Sequence, residues 1–335
     1  MKAALMRRLV PDLAGELVEI AELAKPEPVG PHDVVVRIAG AGVCRTELHI
    51  LQGEIPVEVP HVLGHENAGL VEAVGSEVTA VREGEAVLCY PFISDGMSDP
   101  ERDGLDQWAP DRVTPGIDAP GGFATHLLSH ERAMVKLPEG IDPTDLAPLT
   151  DAGLAAYRAC AKLDLGPGDT VVVFGAGGLG HLGIQILKAI SPARVLAVDV
   201  KAEALALAME CGADAGLRPE ELELDLGGHA PSAVLDFVGS DRTAAAGIGL
   251  LGFGGHYVAV GVGGEVRVPI FDLVGSEKKI EGVYVGSYRD LVEVTDLALS
   301  GKVVPRITRY PLEQTNQALS DLASGRITGR AVLAP

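Results

Sequence analysis

The chain has 335 residues, enough for one large domain or two ordinary ones, and its 47% hydrophobic and 22% charged residues support a sizeable core rather than wholesale disorder. A formal net charge of −20 at pH 7 argues against nucleic acid and anionic membrane surfaces as partners, since both require a positive footprint. The four cysteines, Cys44, Cys89, Cys160 and Cys211, are far apart and form no disulfide framework, which fits a reducing compartment.

The opening residues, "MKAALMRRLVPDLAGE", hold no uninterrupted apolar stretch of the kind a secretory signal needs. No run approaches the roughly 18 apolar residues of a membrane span, so a soluble cytoplasmic protein is expected. Residues 1–150 read as β-rich: "VVVRIAGAGV", "AGLVEAVG" and "GEAVLCY" are short apolar runs separated by Gly, Pro and acidic turns. Residues 91–122 lack periodicity and are full of Asp, Pro and Gly, which predicts a long surface loop. Trp108 is expected to anchor that loop by packing, and its acidic run through Asp95, Asp99, Glu101, Asp103 and Asp106 to be a solvated face.

The texture changes near residue 150. "DAGLAAYRACAKL" is helical in pattern, and "DTVVVFGAGGLGHLGIQILKAI" reads as a buried strand, a glycine turn and a helix. "ARVLAVDV", "AEALALAMECGAD", "SAVLDFVGS" and "GGHYVAVGV" continue the alternation, which implies βαβ units and a parallel sheet. "GGEVRVPIFDLV" is read as an edge strand, and the tail from Tyr310 as a helix and a strand.

Gly175, Gly177 and Gly180 form a Gly-x-Gly-x-x-Gly, with Gly178 and Leu179 inside it, between a predicted strand and a predicted helix. In that context the pattern is a dinucleotide-binding fingerprint: a tight turn, close approach of a pyrophosphate, and close packing of helix on strand. The helix start offers unpaired N–H groups to the anion. Asp199 ends the next predicted strand, where a carboxylate binds ribose hydroxyls and repels a 2′-phosphate, so NAD is expected over NADP.

Three places carry residues of metal chemistry. "GVCRTELH" (42–49) holds Cys44, Thr46 and His49; "VLGHENAG" (62–69) holds His65 and Glu66; "APLTDAGLAAYRA" (147–159) holds Asp151. Cys44, His65 and Asp151 would give a metal one thiolate, one imidazole and one carboxylate, and three protein ligands with an open fourth position suit a catalytic zinc. Singly, each has a plainer reading: a core cysteine, a turn histidine, a helix cap.

These segments, with "GAGGLGHLGIQ" and "GRAVL", stand in an order that resembles the zinc-dependent alcohol dehydrogenases of the medium-chain dehydrogenase/reductase family over essentially the whole chain. The resemblance implies an α/β fold, a Rossmann doubly wound parallel sheet (152–287) plus a β-rich GroES-like catalytic domain built from 1–151 and 288–335. It implies an enzyme that exchanges a hydride between an alcohol or carbonyl compound and NAD, and a homo-oligomer, tetramer or dimer. Thr46 and His49 would then relay the alcohol's proton to solvent, a task that suits an imidazole. Glu47 would support His65, and Glu66 would lie behind the zinc. Arg45 and Arg330 would contact the pyrophosphate, Phe92 would line the substrate pocket, and Leu179, Val260, Val262 and Val285 would flank the nicotinamide. Many members hold a second, structural zinc with four cysteines in the loop corresponding to 91–122; this loop has none, so one zinc per chain is expected. A zinc-free quinone or enoyl reductase, lacking the Cys and His ligands, and a non-catalytic relative are the rival readings.

Overall fold

A computed structural model describes the whole chain, Met1–Pro335. It divides into two compact units: Met1–Ala152 with Ser287–Val292 and Pro305–Pro335, and Gly153–Gly286 with Glu293–Val304. No helix is long and apolar enough to cross a membrane.

The first unit begins with β1 (Lys2–Met6), β2 (Glu19–Glu22), β3 (Asp33–Val43), α1 (Arg45–Gln52), β4 (His61–Val62), β5 (Glu66–Val74), β6 (Ala86–Cys89), α2 (Asp99–Arg102), β7 (His126–His130) and β8 (Met134–Lys136). β1 pairs antiparallel with β2 and β4, and the long β3 pairs antiparallel with β5 and β7. Val34, Val35 and Val36 on β3 are fully buried, so the strand is core on both faces rather than amphipathic. α1 starts directly after β3, with Cys44 as its N-cap, and stops at Gly53, whose left-handed φ of 83° closes the last turn.

The second unit contains α3 (Ala152–Ala161) from Gly153 onward, β9 (Thr170–Phe174), α4 (Gly180–Ile190), β10 (Arg194–Val198), α5 (Ala202–Glu210), β11 (Ala215–Leu217), α6 (Leu222–Leu226), β12 (Ala233–Asp236), α7 (Asp241–Leu250), β13 (His256–Ala259), α8 (Ile270–Ser276) and β14 (Lys279–Gly282). The six strands form one parallel sheet in the order β11-β10-β9-β12-β13-β14. Numbered within the unit this is 3-2-1-4-5-6, the doubly wound order in which strand direction of travel reverses between β9 and β12. Val171, Val172 and Val173 on β9 are fully buried, as a central strand covered on both faces requires. Helix α9 (Tyr288–Leu299) begins in the first unit's segment and ends in the second's. The chain then returns to the first unit as β15 (Ile307–Pro311), α10 (Thr315–Ala323) and β16 (Arg330–Ala334), with β16 antiparallel to β3.

Two expectations are corrected. Residues 263–274 do not form an edge strand: Pro269 precedes α8, whose Phe271 is 90% exposed, and the sheet edge is β14. Proline cannot donate to a strand ladder but suits a helix start. The loop 91–122 is not anchored by Trp108, which is 55% exposed. Its organiser is Glu101, one of the acids expected to be solvated. This buried carboxylate accepts hydrogen bonds from Gly96 N (2.7 Å), Ser98 N (3.0 Å), Ser98 Oγ (2.5 Å) and Ser94 Oγ. Burial alone would raise its pKa, but these donors hold it down at about 2.

Candidate active site

Where β3 ends, Cys44 N donates to Glu47 Oε2 at 2.7 Å, so the first turn of α1 is tied to a fully buried carboxylate. The other oxygen of Glu47 lies 2.7 Å from Nδ1 of His65, the residue just before β5. That approach lacks the angle of a straight hydrogen bond and is best described as a close ion contact. On the far side of the ring, His65 Nε2 is 3.4 Å from Asp151 Oδ2, which is itself 3.8 Å from Cys44 Sγ. Asp151 stands at the junction between a 3₁₀ segment, Pro143–Thr150, and α3. Ligating atoms of Cys44, His65, Glu66 and Asp151 all lie within 4.8 Å of one another. The structure thus brings together the three residues read as ligands and adds Glu66 to them.

Electrostatics follow from that crowding. Burial opposes a charge on His65, yet Glu47, Asp151 and Cys44 outweigh it and raise its pKa well above the ordinary value. Burial likewise pushes Asp151 up, but its contact with His65 prevails and the pKa is lowered. Glu66 is raised to about 7 by burial, with Arg330 opposing and Asp151 adding to the rise. Donors that draw a proton onto His65 this strongly will draw a cation. One sulfur, one ring nitrogen and carboxylate oxygens match what zinc takes.

Glu66 and Arg330 meet through strand pairing. Gly42 on β3 is in register with Glu66 on β5, while β16 flanks the other side of β3. A Cβ on Gly42 would sit 1.9 Å from Glu66 Oε2, so only glycine leaves that carboxylate its place. Arg330 Nη2 donates to Glu66 Oε1 in a buried pair, and Arg330 is only 4% exposed. The pair with Glu66 uses one end of the guanidinium, and Arg330 Nε has no hydrogen-bond partner in the structure.

Thr46 Oγ1 lies 3.6 Å from Cys44 Sγ. His49, one turn further along α1, is half-buried with Nδ1 2.5 Å from Glu54 Oε2. No hydrogen bond joins Thr46 to His49, so a proton passing between them needs a bridging group. Arg45 is exposed. Phe92 does line a cavity of about 420 Å³, with Tyr90, Asp106, Arg132, Met134 and Tyr288 among its other walls. None of Cys44, His65 and Asp151 is among its walls.

In the second unit, every residue read as cofactor-binding follows the carboxyl end of a parallel strand, the end at which such sheets bind ligands. Gly175, after β9, has φ 83° and makes the tight turn. Gly178 and Leu179 lead into α4. A Cβ on Gly180 would lie 1.8 Å from the Gly175 carbonyl oxygen, which is why α4 can start so close to β9. A Cβ on Gly177 would meet nothing within 4 Å, so this position opens onto free space. Asp199 accepts from Ala176 N and Lys201 N, both at 2.9 Å, which fixes its carboxylate beside the turn. Val260 and Val262 follow β13, and Val285 follows β14 with an unusual φ of 47° for a β-branched residue. Sequence reasoning missed His181, whose buried ring nitrogen donates to Gly177 O (2.8 Å), and Asp236 at the end of β12. The signal for Asp236 was in hand: "VLDFVG" ends a buried run in Asp, as "LAVDV" does at Asp199.

A family model described as "Alcohol dehydrogenase GroES-like domain" matches residues 30–139, and one described as "Zinc-binding dehydrogenase" matches residues 178–300. The chain is 35% identical to an NAD-dependent alcohol dehydrogenase of Sulfolobus acidocaldarius, with 99% of each chain covered. It is 34% identical to a D-arabinose 1-dehydrogenase (NADP(+)) of Saccharolobus solfataricus, over 100% of this chain and 97% of that one. The crystal structure of the alcohol dehydrogenase from Aeropyrum pernix superposes with a TM-score of 0.94 at 38% identity, covering 100% of both chains.

Proposed function

Because the chain belongs to the alcohol dehydrogenases of the medium-chain dehydrogenase/reductase family, a family of oxidoreductases, we propose that it catalyses zinc-dependent, reversible hydride transfer between a primary or secondary alcohol and NAD. The observation that carries this reading is the meeting of Cys44, His65 and Asp151 in one buried cluster. We assign the metal chemistry to residues 1–151 and 288–335 and the dinucleotide to residues 152–287.

When bound, zinc would supply Lewis acidity that lowers the pKa of the alcohol, and NAD would supply the hydride acceptor. Cys44, His65 and Asp151 hold the metal; thiolate and carboxylate cancel its charge, leaving a site that accepts a neutral alcohol. The Glu47 carboxylate, 2.7 Å from Nδ1 of His65, favours the proton on that nitrogen electrostatically and so leaves Nε2 free as a donor to the metal. The Arg330 guanidinium beside Glu66 keeps a third carboxylate from adding a net negative charge. Thr46 would receive the alcohol's proton by hydrogen bonding, and His49 would release it to solvent once a bridging group has carried it between them. Gly175, Gly177, Gly178, Leu179 and Gly180 cradle the pyrophosphate, with Arg45 contributing charge. Asp199 binds the ribose hydroxyls, and Val260, Val262 and Val285 flank the nicotinamide.

The test is metal content and turnover measured on one preparation. About one zinc per chain is expected, with activity lost on chelation and restored by zinc. A panel of primary and secondary alcohols, with D-arabinose included because of the sugar-oxidising relative, should be oxidised with NAD in preference to NADP. Undiminished turnover without a bound divalent metal would refute the zinc assignment. Turnover of nothing in the panel with either dinucleotide would refute the whole reading.

We further propose a homo-oligomer, tetramer or dimer. Ile270, Phe271 and Val274 on α8 are exposed, and α8 leads into the edge strand β14. An unpaired edge beside apolar side chains invites a second copy. Light scattering at the mass of a single chain would exclude it.

A further inference from the structure

Asp236 is fully buried at the last residue of β12, on the line where the sheet order reverses. It is in register with Phe174 on one side and Ala259 on the other, so the residues following it face the fingerprint turn on one flank and Val260 on the other. Every acceptor it has is used. Its Oδ1 accepts from Val238 N and Gly239 N, both at 2.9 Å. Its Oδ2 accepts from the buried Tyr257 hydroxyl at 2.8 Å. Its carbonyl accepts from Val260 N (2.9 Å) and Gly261 N (3.0 Å).

The two turns that Asp236 fastens touch each other and the fingerprint. A Cβ on Gly239 would lie 2.1 Å from the Gly261 carbonyl oxygen, and a Cβ on Gly261 would lie 2.4 Å from the Val238 carbonyl carbon. A Cβ on Gly175 would lie 2.8 Å from Val238 Cγ2, and one on Gly183 would lie 2.7 Å from the Phe237 ring. Backbone packed this closely has no slack. If the turn 237–239 shifts, it pushes on the first fingerprint glycine and on the segment that carries Val260 and Val262.

We infer that Asp236, with Tyr257, is a positioning residue for the dinucleotide: it locks the turns after β12 and β13 in the arrangement that leaves the pyrophosphate and nicotinamide surfaces open. Its side chain touches no reacting atom and acts through Val238, Gly239 and Tyr257, while its main-chain carbonyl, which any residue supplies, holds Val260 and Gly261. The inference rests on the dinucleotide-binding reading above. It adds a residue that neither the glycine fingerprint nor the ribose carboxylate accounts for.

The experiment is fluorescence titration with NADH on the zinc-loaded chain, with melting temperature and zinc content recorded on the same samples. Asp236→Ala frees three donors, Val238 N, Gly239 N and the Tyr257 hydroxyl, and NADH binding should weaken about 10-fold or more with zinc content unchanged. Asp236→Asn should stay within about 3-fold of the parent, because its carbonyl oxygen can still accept both N–H groups while its amide donates to the Tyr257 hydroxyl. If Asp236→Ala does not fold, Tyr257→Phe keeps the packed ring and removes one hydrogen bond; a loss of about 3-fold in NADH affinity is then expected. Variants that melt earlier yet bind NADH as tightly as the parent would overturn the inference and leave only a structural role. A parent chain that binds NADH not at all would overturn the dinucleotide reading itself, and this inference with it.

Discussion

Cys44→Ser is expected to lose most of its zinc and nearly all of its turnover while NADH binding survives. A neutral hydroxyl is a poor zinc ligand where a thiolate stood. Loss of Lewis acidity worth several kcal/mol corresponds to a drop of about 10³-fold or more in kcat/KM. Position 44 makes the result easy to interpret. Cys44 is the N-cap of α1, and its backbone N–H, not its sulfur, donates to Glu47. Serine is a favoured N-cap, so the variant should fold at least as well in that turn. Elemental analysis and an NADH titration read the two halves separately. Zinc retained at the parent level would remove Cys44 from the ligand set. His49→Ala should behave differently: zinc and cofactor stay, and the rate falls between about 10-fold and 10⁴-fold, nearer the lower end, as for the loss of an outer proton acceptor. The deficit should be greatest at low pH, where the alcohol's proton is hardest to remove, and added buffer bases should restore part of it. An unchanged pH profile would take His49 out of the mechanism.

The second large effect separates two glycines of one motif. Gly180→Ala places a Cβ 1.8 Å from the Gly175 carbonyl, so α4 must move and the second unit should lose about 1–3 kcal/mol or more of stability. Gly177→Ala meets nothing within 4 Å and needs no left-handed backbone. Its melting temperature should hold or rise slightly, since replacing a glycine restricts the unfolded chain. Yet its Cβ would stand where the pyrophosphate must approach, and NADH affinity should fall roughly 10-fold to 100-fold. Binding undisturbed by Gly177→Ala would show that the dinucleotide does not lie over this turn.

What the sequence made legible divides along physical lines. The strand, turn and helix across 170–190 are specified locally, by a β-branched apolar run, glycine spacing and helical periodicity, and they form as read. Cys44, His65 and Asp151 could not have been grouped by any local pattern; their order along the chain suggested the set, and strand pairing supplies the distances. The Arg330–Glu66 pair lay out of reach because it joins residues 264 apart through a third strand, and depends on Gly42 having no side chain. Glu101 was misjudged because a carboxylate is buried only when donors converge on it, and convergence is a property of the loop's path. In "GGEVRVPIFDLV" the β-branched residues outvoted Pro269, whose fixed φ suits the start of a helix.

The loop fastened by Glu101 has a consequence for how this protein can fail. Its shape comes from serine hydroxyls and backbone N–H groups closing on one carboxylate, with no thiolate between residues 91 and 122. A reagent specific for thiols therefore has no foothold in this loop, whose one sulfur atom is that of the exposed Met97. The clasp has a different vulnerability, to acid. With its pKa depressed, Glu101 contributes stability that is fully present above the ordinary carboxylate range and fades as pH falls toward about 2.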